Sequence, residues 1–299
     1  MKRKIVKQGE ATLTVSIPAK WASKFTLKPG DEVDLREQDK TLIISASSND
    51  GPKKELIDLS TITYLSKRIV AAKYLKGCSE IDIRIGSHSQ AKGIRDRVRS
   101  MQGFEIVQQT KNSVIVKEVT GSSVIELVPL MRRIFSMVNT VGQESLISLR
   151  AKETDLSYLE DLEQSINRFT DLCFRAINLQ GADSYIKMTS LYTICFLLEA
   201  IADKMKDLLI FIRTCKVVLP SDIIDLYEDL LKMIKMLEEV IYSFSYEKAD
   251  KMARAYENIL ASIQSKITKR KAEHVVVLMH IRSIAEFTIW AMNQQLINT

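Results

Sequence analysis

A chain of 299 residues with ordinary hydrophobic content and a formal net charge of +6 has room for two or three domains around a sizeable core. Three scattered histidines (His88, His274, His280) exclude a histidine-rich metal site, and four scattered cysteines (Cys78, Cys173, Cys195, Cys215) form no CxxC pair and read as reduced, cytosolic thiols. No apolar run reaches the roughly 18–20 residues that span a bilayer, Met1-Lys-Arg-Lys leads into a polar strand rather than a signal-peptide core, and no GxxxxGK, GxGxxG or GxSxG motif marks an enzyme.

The chain begins basic. Residues 1–28 carry Lys2, Arg3, Lys4, Lys7, Lys20, Lys24 and Lys28 against the single acid Glu10, whereas residues 121–299 hold 21 basic and 23 acidic side chains. That asymmetry points to an N-terminal surface for a polyanion. Within it, Leu13, Val15 and Ile17 alternate with Thr12, Thr14 and Ser16, the period of a half-buried strand. Pro18 ends the ladder, Ala19 to Phe25 has the length of two helical turns with Trp21 and Phe25 on one face, and Lys28-Pro29-Gly30-Asp31 is a turn. Glu32 to Arg36 reads as a strand, Gln38-Asp39-Lys40 as a turn, and Thr41 to Ser45 as the returning strand. Four short strands in about 45 residues cannot close a core in one chain, so two copies are expected to interlock.

The ordered combination of strand, SIPAKW corner, short helix and LKPGDEV turn, over Lys2 to Ser47, resembles the SpoVT/AbrB swapped-hairpin family. The resemblance implies an intertwined, dimeric, DNA-binding β-barrel spanning residues 1–47. It also implies that Lys2, Arg3, Lys4, Lys7, Thr12, Thr14, Lys20 and Lys24 meet the DNA. The chain departs from the family in lacking arginines near Thr14, Ala22 and Ser23, where such domains often carry them.

Residues 48–59, with Gly51-Pro52, have the composition of a linker. A helical pattern of Ile62, Leu65, Ile69, Ala72 and Leu75 runs over Ser60 to Lys76, with Gly77 as its C-cap. Ile81, Ile83 and Ile85 alternate as a strand, a basic helix follows over Gln90 to Met101, and two strands over Phe104 to Gln109 and Val114 to Val119 complete the unit. Residues 48–121 thus comprise a linker and a small α/β connector domain. The basic helix, with Lys92, Arg95, Arg97 and Arg99, is read either as a nucleic-acid contact or as a solvated face of a structural connector.

After Gly121 the pattern changes: only Gly142 and Gly181 follow, and Pro129 and Pro220 sit near helix starts. Six long amphipathic segments are predicted at about 123–150, 153–179, 184–214, 221–245, 247–270 and 273–297, with breaks at Lys152–Thr154, Gly181-Ala182-Asp183, Val218–Ser221, a Ser-Tyr corner near 245 and Thr268–Lys271. LEAIAD at Leu198–Asp203 and IRSIAE at Ile281–Glu286 recur in the third helix of each half, which supports a duplicated three-helix bundle with repeats 122–217 and 218–299. Glu199, Asp203 and Asp207 follow one another at four-residue spacing beside the apolar stripe. They form either a solvated acidic face or a site for a hard cation.

LLEAIADKMKDLLIFI is similar to the acidic motif on the third helix of the PhoU phosphate-uptake regulators, and Glu163-Gln-Ser-Ile-Asn167 looks like the partner motif on the second helix, with asparagine in place of its second acid. The resemblance covers residues 122–298 and implies an all-α PhoU-like pair of three-helix bundles spanning 122–299. It further implies a divalent cation (Mg, Mn or Fe) held by Glu163, Asn167, Glu199 and Asp203. In the second repeat Arg282 stands where an acid is expected, so at most one site per chain is expected. Joined to the N-terminal module, the whole looks like the archaeal AbrB–PhoU fusion family. That resemblance implies a multidomain α+β, cytoplasmic, homodimeric or higher even oligomeric transcriptional regulator of phosphate uptake. It would be neither an enzyme nor inserted in a membrane, and it would act on DNA with a phosphate transporter component or signalling kinase as partner. The alternatives are an adaptor that binds no DNA and acts on such a partner, and a metal-binding bundle.

Overall fold

The computed structural model describes residues 2–38, 41–46, 53–120, 126–151, 157–180, 185–268 and 270–298. The Gln38-Asp39-Lys40 turn beyond Gln38, the Gly51-Pro52 linker, and the Lys152–Thr154 and Gly181–Asp183 breaks lie outside those residues. Two compact units are present, Met1–Gly51 and Pro52–Thr299.

The first unit consists of two antiparallel hairpins and a short helix. Strand β1 (Ile5–Gln8) pairs with β2 (Thr12–Val15), α1 (Ala19–Lys24) follows Pro18, and β3 (Val33–Gln38) pairs with β4 (Thr41–Ala46). The expected short helix after Pro18 and the Lys28–Asp31 turn both form. The Trp21 and Phe25 rings pack in a tilted arrangement with centroids 5.3 Å apart. The Lys28–Asp31 turn closes through the Asp31 amide on Lys28 O at 3.1 Å, with Gly30 at φ +97, the left-handed conformation that the third position of a type II turn requires. No barrel closes within one chain, because the hairpins form two separate two-stranded sheets. None of the described residues of this unit is buried, and Ile5, Leu13 and Leu35 are each more than half exposed.

The second unit begins with a four-stranded sheet in the order β5-β6-β8-β7, from β5 (Lys54–Asp58), β6 (Glu80–Arg84), β7 (Phe104–Gln109) and β8 (Ser113–Glu118). Strand β5 corrects the sequence reading, which placed it inside a linker. Its residues are charged at the ends and its pairing with β6 is parallel, so the signal lies in a distant partner and not in local alternation. Helix α2 (Ser66–Leu75) connects β5 to β6 and begins six residues later than predicted, since residues 60–65 form turns and bends. Helix α3 (His88–Val98) connects β6 to β7, capped by the Ser87 hydroxyl, which accepts from the Gln90 amide. The two helices cover a core of Val70, Tyr74, Ile81, Ile83, Ile94, Phe104, Val114 and Val116.

Six helices complete the unit: α4 (Leu127–Ala151), α5 (Ser157–Gln180), α6 (Tyr185–Cys215), α7 (Ser221–Tyr242), α8 (Tyr246–Ile267) and α9 (Ala272–Ile297). They form the predicted three-plus-three arrangement, and one continuous apolar core runs through both halves. The third helices, α6 and α9, lie along each other at its centre. Helix α9 is apolar on nearly every side, with Leu278, Ile281, Ile284 and Ala285 buried and Val276 and Trp290 left partly exposed. It is also long and apolar enough to cross a membrane by length and composition, contrary to the expectation that no such run exists. Half of its most apolar window is buried within the bundle.

The sheet domain and the first bundle are pinned together by Arg175 of α5, which is 2% exposed. Its guanidinium donates to Tyr74 O at 2.6 Å and Cys78 O at 3.0 Å, pairs with Glu118 at 2.9 Å, and lies over the Tyr74 and Phe104 rings. Arg97 of α3 reaches Asp171 of α5 at 2.6 Å, and Asn178 donates to Leu75 O at 2.8 Å. The connector is therefore welded to α5.

Candidate nucleic-acid interface and carboxylate cluster

The predicted DNA-contacting residues are exposed or half-exposed, and they divide between surfaces. Lys2, Arg3 and Lys4 precede β1, and Lys20 and Lys24 lie on α1. The β1–β2 register sets Lys7 opposite Leu13 and Ile5 opposite Val15, whereas Val6 faces Thr14 and Gln8 faces Thr12. Cross-strand pairs share a face of the ribbon. Lys7 thus stands with the apolar Ile5, Leu13 and Val15, and Thr12 and Thr14 stand on the opposite side. The Thr14 hydroxyl donates to Val6 O at 3.1 Å, so its proton is engaged within the hairpin. The Lys24 ammonium lies 5.5 Å from the Phe25 ring centre.

The basic helix is largely committed internally. Arg95 bonds the Gln109 side chain at 3.0 Å, Arg97 pairs with Asp171, and Arg99 with Asp96 at 3.7 Å. Of its four cations, Lys92 alone enters no ion pair or hydrogen bond among the described residues, which fits the structural-connector reading.

In the bundle, α5 and α6 bring Glu163 and Asp203 against one another. The sequence reading missed what lies between them. The Lys206 ammonium donates to Glu163 Oε1 at 2.8 Å and to Asp203 Oδ1 at 2.9 Å. Asn167 Nδ2 also donates to Glu163 Oε1, at 2.6 Å, and its own buried Oδ1 finds no partner among the described residues. Burial raises the Glu163 carboxyl above its usual range, and Asp203 beside it adds to the rise against the pull of Lys206. Burial works to lower the Lys206 ammonium, but the two carboxylates outweigh it and raise it. The signal was legible in principle, since Lys206 follows Asp203 at i+3 and Lys204 pairs with Asp207 in the same way at 3.0 Å.

Glu199 lies one turn before Asp203, but its hydrogen bond goes elsewhere. Its Oε2 accepts from the Thr170 hydroxyl at 3.2 Å, and burial, with Asp171 nearby and Asp203 adding to the rise, pushes its carboxyl up to about 7. Among the described residues no group of three or more Asp, Glu, His or Cys side chains is arranged to hold a metal. With an ammonium already bridging Glu163 and Asp203, and Glu199 turned toward Thr170, the four predicted ligands do not fit a divalent cation. In the second repeat, Arg282 Nε donates to Glu286 at 2.8 Å, so its remaining acid is also paired with a built-in cation.

A family profile described as antidote-toxin recognition MazE, bacterial antitoxin, matches residues 6–52. The match spans the two hairpins and the short helix of the N-terminal unit. A structural comparison finds the crystal structure of the phosphate transport system regulatory protein PhoU from Streptococcus pneumoniae. It is 14% identical, with a TM-score of 0.46, covering 58% of this chain and 95% of that one. A likeness at that level carries no shared activity with it. Comparison with curated proteins gives no match.

Proposed function

We propose that the protein is a DNA-binding transcriptional regulator of phosphate uptake that acts in the cytoplasm as a homodimer or higher even oligomer. The observation that supports it most is the MazE/AbrB-type unit, whose two hairpins leave their apolar residues open in one chain while its first 28 residues carry seven basic side chains against one acid. A second copy would cover those residues and double the charge presented to DNA. The phosphate assignment rests on the PhoU-like motifs of α5 and α6, with a transporter component or signalling kinase as the partner that reports phosphate status. No enzymatic role is proposed. Gel shifts with genomic fragments at low and moderate salt test the DNA reading, and genome-wide occupancy in phosphate-rich and phosphate-starved cells tests the phosphate reading. Binding to no fragment would sink the first; occupancy indifferent to phosphate would sink the second.

One observation favours an alternative, a regulator that works through protein contacts alone. Lys7 shares a face with apolar residues and the Thr14 hydroxyl is engaged internally, so two of the eight predicted contacts are poorly placed to read DNA. Under that reading the N-terminal unit is a dimerisation device, and the gel shift separates the two.

A further inference from the structure

Strands β5 and β6 are parallel, and the chain leaves both at the same edge of the sheet. In open α/β sheets ligands bind in a crevice beyond the carboxyl ends of the strands where the strand order reverses. Strands β5 and β6 are direct neighbours, and here the crevice is the space between the two loops that leave them. It is a cleft of about 650 Å³, walled by the segment after β5 (Ser60 to Lys67) and the segment after β6 (Gly86 to Asp96). The volume lies within the range of about 300–1,000 Å³ typical of small-molecule sites.

The cleft is held open by its own framework. Gln90 ties the two walls together: its Nε2 donates to Leu59 O at 2.6 Å and Ile62 O at 2.7 Å, and its Oε1 accepts from the Gly86 amide at 2.8 Å. A Cβ at Gly86 would fall 2.2 Å from Ser60 O, so the walls meet as closely as they do only because that residue is glycine. Gly93 lies inside α3, where glycine costs about 1 kcal/mol against alanine. A Cβ there would fall 2.7 Å from Lys67 Cε, so its absence leaves room for the lysine stem to lie across the helix.

The lining has a definite chemistry. Lys67 and Lys92 both face the cleft, and among the described residues neither ammonium enters an ion pair. The acid in the lining, Asp96, is paired with Arg99 outside it. Serine and threonine hydroxyls supply most of the remaining polar lining, and the Tyr64 ring is 96% exposed at the cleft. Two unneutralised ammonium groups among hydroxyls favour a phosphoryl group, and a free aromatic face beside them favours a planar ring.

We propose that this cleft binds a nucleoside phosphate, its phosphoryl group held by Lys67 and Lys92 and its base stacked on Tyr64. The assignment is independent of the DNA-binding reading, because it concerns the second unit alone. Calorimetric titration of the full chain with ATP, AMP, ribose 5-phosphate and inorganic phosphate tests it. Saturable binding of ATP or AMP at one site per chain is expected, with ribose 5-phosphate weaker and inorganic phosphate weakest. Lys67→Gln with Lys92→Gln should weaken the nucleotide by about tenfold or more. Tyr64→Ala should weaken it by about fivefold or more and leave ribose 5-phosphate unchanged. Thermal melts of these variants should match the parent, since neither lysine nor the tyrosine ring is buried. The proposal is overturned if no nucleotide binds at millimolar concentration, or if inorganic phosphate binds as tightly as ATP. It also fails if binding survives the double lysine variant and is lost instead when Lys2, Arg3 and Lys4 become alanine.

Discussion

Glu163 shows how a single side chain decides the chemistry of a cluster. Its side chain is 4% exposed, and a carboxylate so placed is stable only with a cation or several donors against it. Lys206 and Asn167 supply them. Lys206→Met should destabilise the protein by about 1–3 kcal/mol at pH 8, because the Glu163 and Asp203 carboxylates then face each other unneutralised. The loss should shrink toward pH 4, where the raised Glu163 carboxyl takes up a proton. The same variant should bind Mn²⁺ more tightly than the parent in a calorimetric titration. Equal binding by parent and variant would show that the ammonium does not occupy a cation site. Glu199 gives a prediction of opposite form. Its carboxyl sits at about 7 in the folded chain against an ordinary 4.5, so the folded state holds a proton that the unfolded state has released. Its ionisation therefore weakens folding progressively as pH rises from about 4.5 to 7, and contributes no penalty below that window. Glu199→Gln should accordingly stabilise the protein by about 1–2 kcal/mol at pH 8 and leave it nearly unchanged at pH 4. Denaturant unfolding at both pH values checks this, and equal effects at the two would rule out the buried carboxyl as the cause.

Among the elements, α5 carries the greatest structural demand, because it packs in the bundle on one side and receives the sheet domain on the other. Arg175→Ala should cost about 3–5 kcal/mol, since Glu118 and two carbonyls lose their buried donor. Hydrogen exchange should then show α2 and β8 opening before α6 and α9 do; uniform loss of protection would mean that Arg175 stabilises the bundle and not the join. Neither Arg175 nor its partners was legible in the sequence. Tyr74, Cys78, Glu118 and Arg175 are far apart in the chain, and no spacing rule connects an arginine on an amphipathic helix to carbonyls beyond another domain's helix. The six long helices were legible, because a 3.6-residue period sustained over 22 or more residues leaves little ambiguity. Strand β5 was not, for it is five residues long and its acids are there to be paired. Glu55 meets Lys73 of α2 and Lys76 just beyond its end, which pull its carboxyl down to about 2. In the candidate sites, the carboxylates on α5 and α6 could be placed from spacing, but Lys206 could not be assigned to Glu163, because that pairing joins residues of two helices, 43 positions apart in the chain.

At the scale of the whole molecule, the two units differ in how they are stabilised. Among the described residues, the second unit encloses two large apolar cores and a small satellite cluster, whereas no residue of the N-terminal unit is buried. Light scattering on the full chain should therefore report a dimer or a multiple of it at micromolar concentration, and a clean monomer would end the interlocked-hairpin reading. If each chain of a dimer neutralises roughly three to five phosphates, the log–log dependence of DNA affinity on salt should have a slope of about −5 to −9. Replacing Lys2, Arg3 and Lys4 together with alanine should flatten it. An unchanged slope would move the DNA surface elsewhere.

The exposed Ile5, Leu13 and Leu35 carry a further consequence for the living cell. If a second copy completes a DNA-reading head, occupancy follows abundance steeply: at low dosage the concentration of paired heads rises with the square of the amount made. Newly made single chains would meanwhile present greasy ribbon edges to proteases and chaperones. Such a regulator would respond to its own expression level with a threshold, and surplus unpaired copies would be cleared before they could titrate the operator.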